Sequence, residues 1–275
     1  MKLRKIDYQL IISFVSIVLF LNIVSQLGFN SILANAVANS LSLSLGFGIF
    51  IVLRRQGRER EIKLMRQNYE QLEALFSLHN VLDLKMPLPK TRTGATSPDN
   101  LVLIYKEISK RKPKCIVECG AGVSTILIGN VVKKIGNGHL LTIENDATWA
   151  NRVREWALEH GLSKFVTVVE APIVANQLNG REELWYDNSK IKNIINKFGQ
   201  IEFLYVDGPP FWIADLARYP AVPLLHQYFA DTCIIVVDDA NRNKEKKTIN
   251  KWHKEYNYVV EWHETEKGTA ILRTN

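Results

Sequence analysis

The chain has 275 residues, 47% hydrophobic and 23% charged, and a formal net charge of +7. That length suits one sizeable α/β domain plus an appendage. Three cysteines are too few for a disulfide framework, and no Cys/His spacing resembles a zinc site. Cys115 and Cys119 lie on one strand, about 13 Å apart at the usual strand rise, too far to bridge. All three read as reduced core thiols.

The charge is unevenly placed. Up to Arg66, nine Lys and Arg face only Asp7, Glu59 and Glu61; beyond it, 26 basic residues face 25 acidic ones. The excess belongs to the N-terminal segment, not to a groove in the folded domain. This argues against nucleic acid as the substrate.

Gln9 to Leu27 is apolar apart from Ser13, Ser16, Asn22, Ser25 and Gln26, and Ile32 to Leu53 is a second apolar stretch. Gly28-Phe-Asn-Ser31 between them reads as a turn. Each stretch covers ~30 Å as a helix, the hydrocarbon thickness of a bilayer. The flanks Met1-Lys-Leu-Arg-Lys5 and Arg54-Arg-Gln-Gly-Arg58 are basic and the turn is uncharged. Residues 1–54 are therefore expected to form a two-helix membrane hairpin (9–27 and 32–53) with both ends, and the domain, in the cytoplasm. Asn35, Asn39, Ser40, Ser42 and Ser44 are expected to face the partner helix. The rival reading is a signal peptide cleaved at Ala34-Asn-Ala36. The length of the first stretch and the second one close behind it favour the hairpin.

Residues 55–94 form a juxtamembrane segment. From Gln56 to Asn80 the pattern is a charged helix, with Ile62, Met65, Tyr69, Leu72 and Phe76 at spacings of three and four. That stripe either lies on the chain's own domain or pairs with a second copy as a homodimeric coiled coil. Lys85 to Gly94 reads as a proline-containing linker or lid. Ser97-Pro98-Asp99 opens a helix running to about Lys110.

The domain proper is expected over 95–275. Lys114 to Cys119 is a short apolar strand, and Gly120 and Gly122 allow a sharp turn and close backbone approach to a ligand. A helix starts at Ser124-Thr125, and its N-terminus favours an anionic group. A dinucleotide fingerprint would have a third glycine where Thr125 stands, and the Lys of a phosphate-binding loop is missing. His139 to Glu144 is a second strand. The helix after it has Trp149, Val153, Trp156 and Ala157 as its apolar face. Lys164 to Glu170 is a third strand. Ile173 to Gln200 is the least regular part, ending in a helix from about Ser189; its Trp185 and Tyr186 suit either an acceptor pocket or the core. Ile201 to Asp207 and Thr232 to Asp239 are strands ending in acids, with Gly208-Pro-Pro210 turning the chain after the first. Tyr258 to His263 and Thr269 to Arg273 read as a closing hairpin. Strands alternating with helices, then a hairpin, predict an α/β domain with a parallel sheet and an antiparallel edge.

Four motifs combine here: Glu118-x-Gly-x-Gly-x-Ser-Thr125, the acid Glu144, Val-Asp207-Gly-Pro-Pro and Val-Val-Asp238-Asp239-Ala. Together they resemble class I S-adenosylmethionine (SAM) dependent methyltransferases, over roughly Thr96 to Asn275. The run Ala217 to Leu225 is similar to small bacterial methyltransferases of unassigned substrate. The resemblance implies a Rossmann-like seven-stranded sheet. It implies that Gly120, Ala121, Gly122, Ser124 and Thr125 wrap the methionine half of SAM and that Glu118 helps hold its ammonium. Glu144 and Asn145 would meet the ribose, Ala171 would border the adenine, and Asp207 would close the site. Asp207, Asp238 and Asp239 resemble the Mg²⁺ ligands of catechol-type and sugar O-methyltransferases; the alternative is that they hydrogen-bond loop backbone. Asp207, Asp238 and His226 are the catalytic candidates, His226 as a base. The expectation is a membrane-anchored O-methyltransferase acting on a small-molecule, glycan or lipid-linked acceptor. The alternative is a non-catalytic, tethered SAM- or nucleotide-binding sensor. An NAD-linked oxidoreductase is disfavoured by Thr125.

Overall fold

The computed structural model describes residues 9, 12–20, 23, 32–82, 84 and 86–274. Two compact units divide the chain between Tyr69 and Glu70.

In the first unit, residues 12–20 are helical, and α1 (Ile32–Leu82) follows. Gly46 packs on Phe14, where an added Cβ would lie 3.0 Å from the ring. Ser42, Gly46, Ile49 and Leu53 are less exposed than their neighbours and recur at helical spacing, whereas Ser40 and Ser44, expected to face a partner helix, are exposed. Lys2, Arg4, Lys5, the turn Gly28 to Ser31 and the side chain of Asn35 lie outside the described residues.

The expected membrane hairpin is not reproduced. Among the described residues, no helix is long and apolar enough to cross a membrane. Nor does the second helix stop at Leu53: α1 runs on as a single 51-residue element through the charged stretch. The residues after Arg54 are mostly strong helix formers, and Arg55 pairs with Glu59 one turn on at 3.1 Å. Gly57, the weakest of them, costs only about 1 kcal/mol in a helix.

In the second unit, the last turns of α1 bury Gln71, Leu78 and Leu82. The last two join Leu101, Ile104 and Ile108 of α2 (Pro98–Arg111) in one apolar cluster. Ile62, Met65, Tyr69, Leu72 and Phe76 are exposed. Within the second unit, then, α1 packs through Leu78 and Leu82 and not through Leu72 and Phe76 of the stripe singled out from the sequence.

Beyond α2 the chain alternates as expected: β1 (Cys115–Cys119), α3 (Val123–Ile135), β2 (His139–Glu144), α4 (Ala147–Glu159) and β3 (Val166–Glu170). An unexpected hairpin, β4 (Ile173–Leu178) and β5 (Arg181–Tyr186), forms its own two-stranded sheet. Then come α5 (Asn188–Phe198), β6 (Ile201–Val206), α6 (Ala221–Leu225), β7 (Phe229–Val237), α7 (Asn243–Tyr256), β8 (Val259–His263) and β9 (Thr269–Arg273). The main sheet has seven strands in the order β3-β2-β1-β6-β7-β9-β8. Only β9 runs opposite in direction to the other six strands. This is the Rossmann-like sheet with an antiparallel closing hairpin that the resemblance implies.

Both faces of the sheet are covered, which is why its central strands are mostly apolar and buried. Val117, Leu204 and Ile235 point to the layer holding α5 and α7. Ile116, Phe203 and Val236 point to the layer holding α2 and α3. Trp185 and Tyr186 are fully buried in the first layer, so they serve the core and do not line a pocket. Gly129 marks the tightest helix contact: a Cβ there would lie 2.6 Å from Val166 and 2.9 Å from Leu162. Overpacking of that kind costs about 1–3 kcal/mol. Gly129→Ala should therefore lower the melting temperature by several degrees without changing the far-UV circular dichroism.

Candidate active site

The strand order reverses between β1 and β6. At such a switch point the loops at the carboxyl ends diverge and leave a crevice. Here the two loops first touch. Gly120 has a φ of +93°, and a Cβ on it would lie 3.1 Å from the Gly208 nitrogen. Glycine satisfies both demands. Gly208 in turn leaves room for the buried Tyr186 hydroxyl. Two residues on, Gly122 faces open space, with nothing within 4 Å of a Cβ position.

That space is a cleft of about 410 Å³. Ala121, Gly122 and Ser124 form one wall, Trp149 and Trp156 another, Asp207 a third, and most of segment 89–96 the roof. The roof is fastened to the β8–β9 turn. Arg92 pairs with Glu266 at 2.8 Å, and Lys267 donates to the Ala95 carbonyl at 2.7 Å.

Below the glycine loop lies Glu118, fully buried. Its Oε2 accepts hydroxyl hydrogen bonds from Thr125 and Thr142, each at 2.6 Å. The Thr125 hydroxyl also accepts from the Gly122 N–H at 2.9 Å, linking the loop to the acid. Glu118 Oε1 has no hydrogen-bond partner in the protein. Burial drives this carboxyl up to about 7, although Ser124, Thr125 and Thr142 oppose the shift.

Glu144 is 7% exposed, and its carboxylate gathers three backbone donors. Oε2 accepts from Ala121 at 3.0 Å; Oε1 accepts from Asn145 at 2.8 Å and Asp146 at 2.9 Å. It thus holds the first loop against the second. Asp146 caps α4 by accepting from the Trp149 N–H at 2.8 Å. Trp149, expected on the apolar face of that helix, is instead 43% exposed, with its indole N–H donating to the Ala121 carbonyl at 2.7 Å. Ala171 is buried, and its N–H serves the Glu144 carbonyl.

The acids after β6 and β7 surround Arg218, which the sequence reading did not single out. Its Nη2 lies 3.0 Å from Asp207 Oδ1, 2.8 Å from the Asp207 carbonyl and 2.9 Å from Asp239 Oδ2; its Nη1 donates to the Asp238 carbonyl at 2.9 Å. The Arg218 side chain is 4% exposed. Asp238 is fully buried, accepting from the Tyr205 hydroxyl and from the Asp239 N–H. It does not line the cleft, and its catalytic candidacy lapses. The expected Mg²⁺ ligands do not fit that ion. Among the described residues no group of three or more His, Cys, Asp or Glu could hold a metal. Asp207 and Asp239 already face a guanidinium, and Asp239 also pairs with Arg242 at 2.7 Å.

Asp207 is the carboxylate that reaches the cleft, with Oδ2 3.3 Å from the Thr96 hydroxyl. Burial first, and then Asp238, raise its pKa well above the ordinary value, with Arg218 pulling the other way. His226 is not part of this site. It follows α6 at the start of β7, the end of the sheet away from Asp207, and is exposed beside Phe229 and Tyr256. The chain after β6 returns past the whole strand before His226 is reached.

Residues 117–240 match the sequence model of a family described as a methyltransferase domain. The match supports a methyltransferase enzyme. No curated protein matches the chain. Among solved structures, a SAH-bound Podospora anserina methyltransferase is similar at 14% identity and a TM-score of 0.52, covering 74% of this chain and 88% of its own. A Staphylococcus aureus protein assigned as a caffeoyl-CoA O-methyltransferase is similar at 14% identity and a TM-score of 0.52, covering 80% and 100%. At these identities the likeness concerns the fold.

The methyltransferase domain's buried Glu118 gives a pH test. The folded state keeps this proton to about 7, whereas the usual carboxyl loses it near 4.5. As pH rises through that window, the unfolded chain ionises freely and the folded chain must ionise a buried group. Stability should therefore fall with pH. Glu118→Gln removes that part of the decline, so the melting temperatures of wild type and variant, compared without ligand, should shift relative to one another in the variant's favour between about pH 4.5 and 7, with no further shift above that window.

Proposed function

We propose that this domain is a SAM-dependent O-methyltransferase whose cofactor and acceptor meet in the cleft between β1 and β6. The observation that carries the reading is the unpartnered Glu118 Oε1 under a glycine loop that opens onto free space. A buried acceptor without a donor suits a ligand that brings a cation, as the SAM ammonium does. The SAM sulfonium would supply an activated methyl group. The chain's own residues do the rest. Ala121, Gly122 and Ser124 give the cofactor a backbone-lined wall, and Glu144 fixes that wall through Ala121. Segment 89–96 covers the cleft and limits water.

Asp207 is the base. Arg218 holds Oδ1 in place, leaving Oδ2 beside Thr96 to take a proton from an acceptor hydroxyl. Its raised pKa makes it a stronger proton acceptor than an ordinary carboxylate. The acceptor is a small molecule, a glycan or a lipid-linked compound. Association with a membrane is proposed alongside, because residues 39–53 hold no charge and α1 exposes Leu41, Leu43, Phe47 and Phe50. Unpartnered apolar surface of that kind suits lipid.

Transfer of a radiolabelled methyl group from SAM to membrane extracts tests the reading. Transfer should rise with pH through the raised Asp207 ionisation, and Asp207→Asn should reduce it by about 10²–10⁴-fold, the usual contribution of a general base. Cofactor binding with no transfer to any fraction would favour the tethered sensor instead.

A further inference from the structure

We propose that Arg218 is the resident cation of this site: its guanidinium stands where a divalent ion would have to stand among Asp207, Asp238 and Asp239, so the domain works without Mg²⁺, with Arg218 positioning Asp207 in the ion's stead. Most of the oxygens that an ion would need are already committed. Asp207 supplies both its carbonyl and Oδ1 to Nη2, Asp239 supplies Oδ2 to the same nitrogen, and the Asp238 carbonyl takes Nη1. The Asp238 carboxylate is spent on Tyr205 and on the Asp239 N–H. Glu245, buried on α7, adds a further carboxylate 3.9 Å from Nε.

Mg²⁺ demands near-octahedral oxygen coordination at short distance. To obtain it here the ion would have to expel a buried guanidinium from its partners and leave that charge unpaired, a strongly unfavourable exchange. A planar fork also does what a single ion does at the ends of two strands. It fixes the β6 and β7 termini relative to one another and points one carboxylate at the cleft. Arg218 touches no cleft-lining atom except through Asp207, so it is a positioning residue.

The inference borrows the cleft's catalytic role from the proposed function, but its test reads ion binding. Mg²⁺ is titrated calorimetrically into the full chain, and melting temperatures are taken in millimolar Mg²⁺ and in chelator, for wild type, Arg218→Met and Arg218→Lys. Wild type should give no binding heat and identical melting temperatures. Arg218→Met, which takes the buried guanidinium from Asp207 and leaves Asp239 only Arg242, should melt lower and recover in Mg²⁺. Arg218→Lys keeps a charge and should show little recovery. Wild type that binds or is stabilised by Mg²⁺, or a folded Arg218→Met that ignores it, would overturn the proposal. Should Arg218→Met fail to fold, the wild-type titration decides alone. A parallel SAM titration separates the readings: Mg²⁺ dependence with intact SAM binding removes only this inference.

Discussion

One buried arginine organises the business end of this domain. The Arg218 guanidinium gathers the carboxyl ends of β6 and β7, which would otherwise place Asp207, Asp238 and Asp239 together with no buried counter-charge, since Arg242 meets only Asp239 and is partly exposed. Burial alone pushes Asp207 and Asp238 toward their neutral forms. A fork of N–H donors within 3.0 Å reverses part of that cost and converts repulsion into a clamp. Removing one partner from a buried ion pair typically costs about 3–5 kcal/mol, a large share of a domain's net stability. The clamp also leaves one carboxylate oxygen directed at the cleft, so the same contact that secures the sheet prepares the chemistry.

The other wall of the cleft is built on a second buried acid. Glu118 lies beneath the glycine loop, and Thr125 transmits its position to the Gly122 N–H. The third glycine of a dinucleotide loop would forfeit that hydroxyl. Thr125 therefore does more than signal what the loop is not: it ties the loop to the acid. Glu144 performs the matching task from the next strand, receiving N–H groups from both loops on one carboxylate. Burial raises the pKa of both acids, so ionising either one in the folded state costs free energy. A cationic ligand group would relieve the first of these.

Much of this was legible before any coordinates. Short apolar runs ending in acids locate strands buried on both faces, and glycines at 120 and 122 locate the loop. What stayed hidden is long-range or depends on which side of a helix is used. Arg218 gives no sequence signal as a core residue; only five strand-terminal acids at one edge hint that a cation must be near. The stripe from Ile62 to Phe76 has helical spacing, but spacing does not say which face meets the domain, and Leu78 and Leu82 do so instead. Trp149 stands on the apolar face that the spacing predicts for α4, yet its indole N–H needs a partner and finds one at the cleft rim. The β4–β5 hairpin did carry a readable sign. Asn179-Gly180 both have positive φ, the signature of a tight hairpin turn, but the charged start of β5 masked it.

The central claim is that the space beside Gly122 holds SAM. Gly122 has an extended backbone (φ 179°) and nothing near its Cβ position, so a side chain there fills the cleft without straining the fold. The direct measurement is calorimetric titration of S-adenosylhomocysteine into the full chain and into Gly122→Leu, with melting temperatures recorded for both. The account predicts binding by the wild type and its loss in a variant that melts at the same temperature. A folded wild type that does not bind, or a variant that binds equally well, would contradict it.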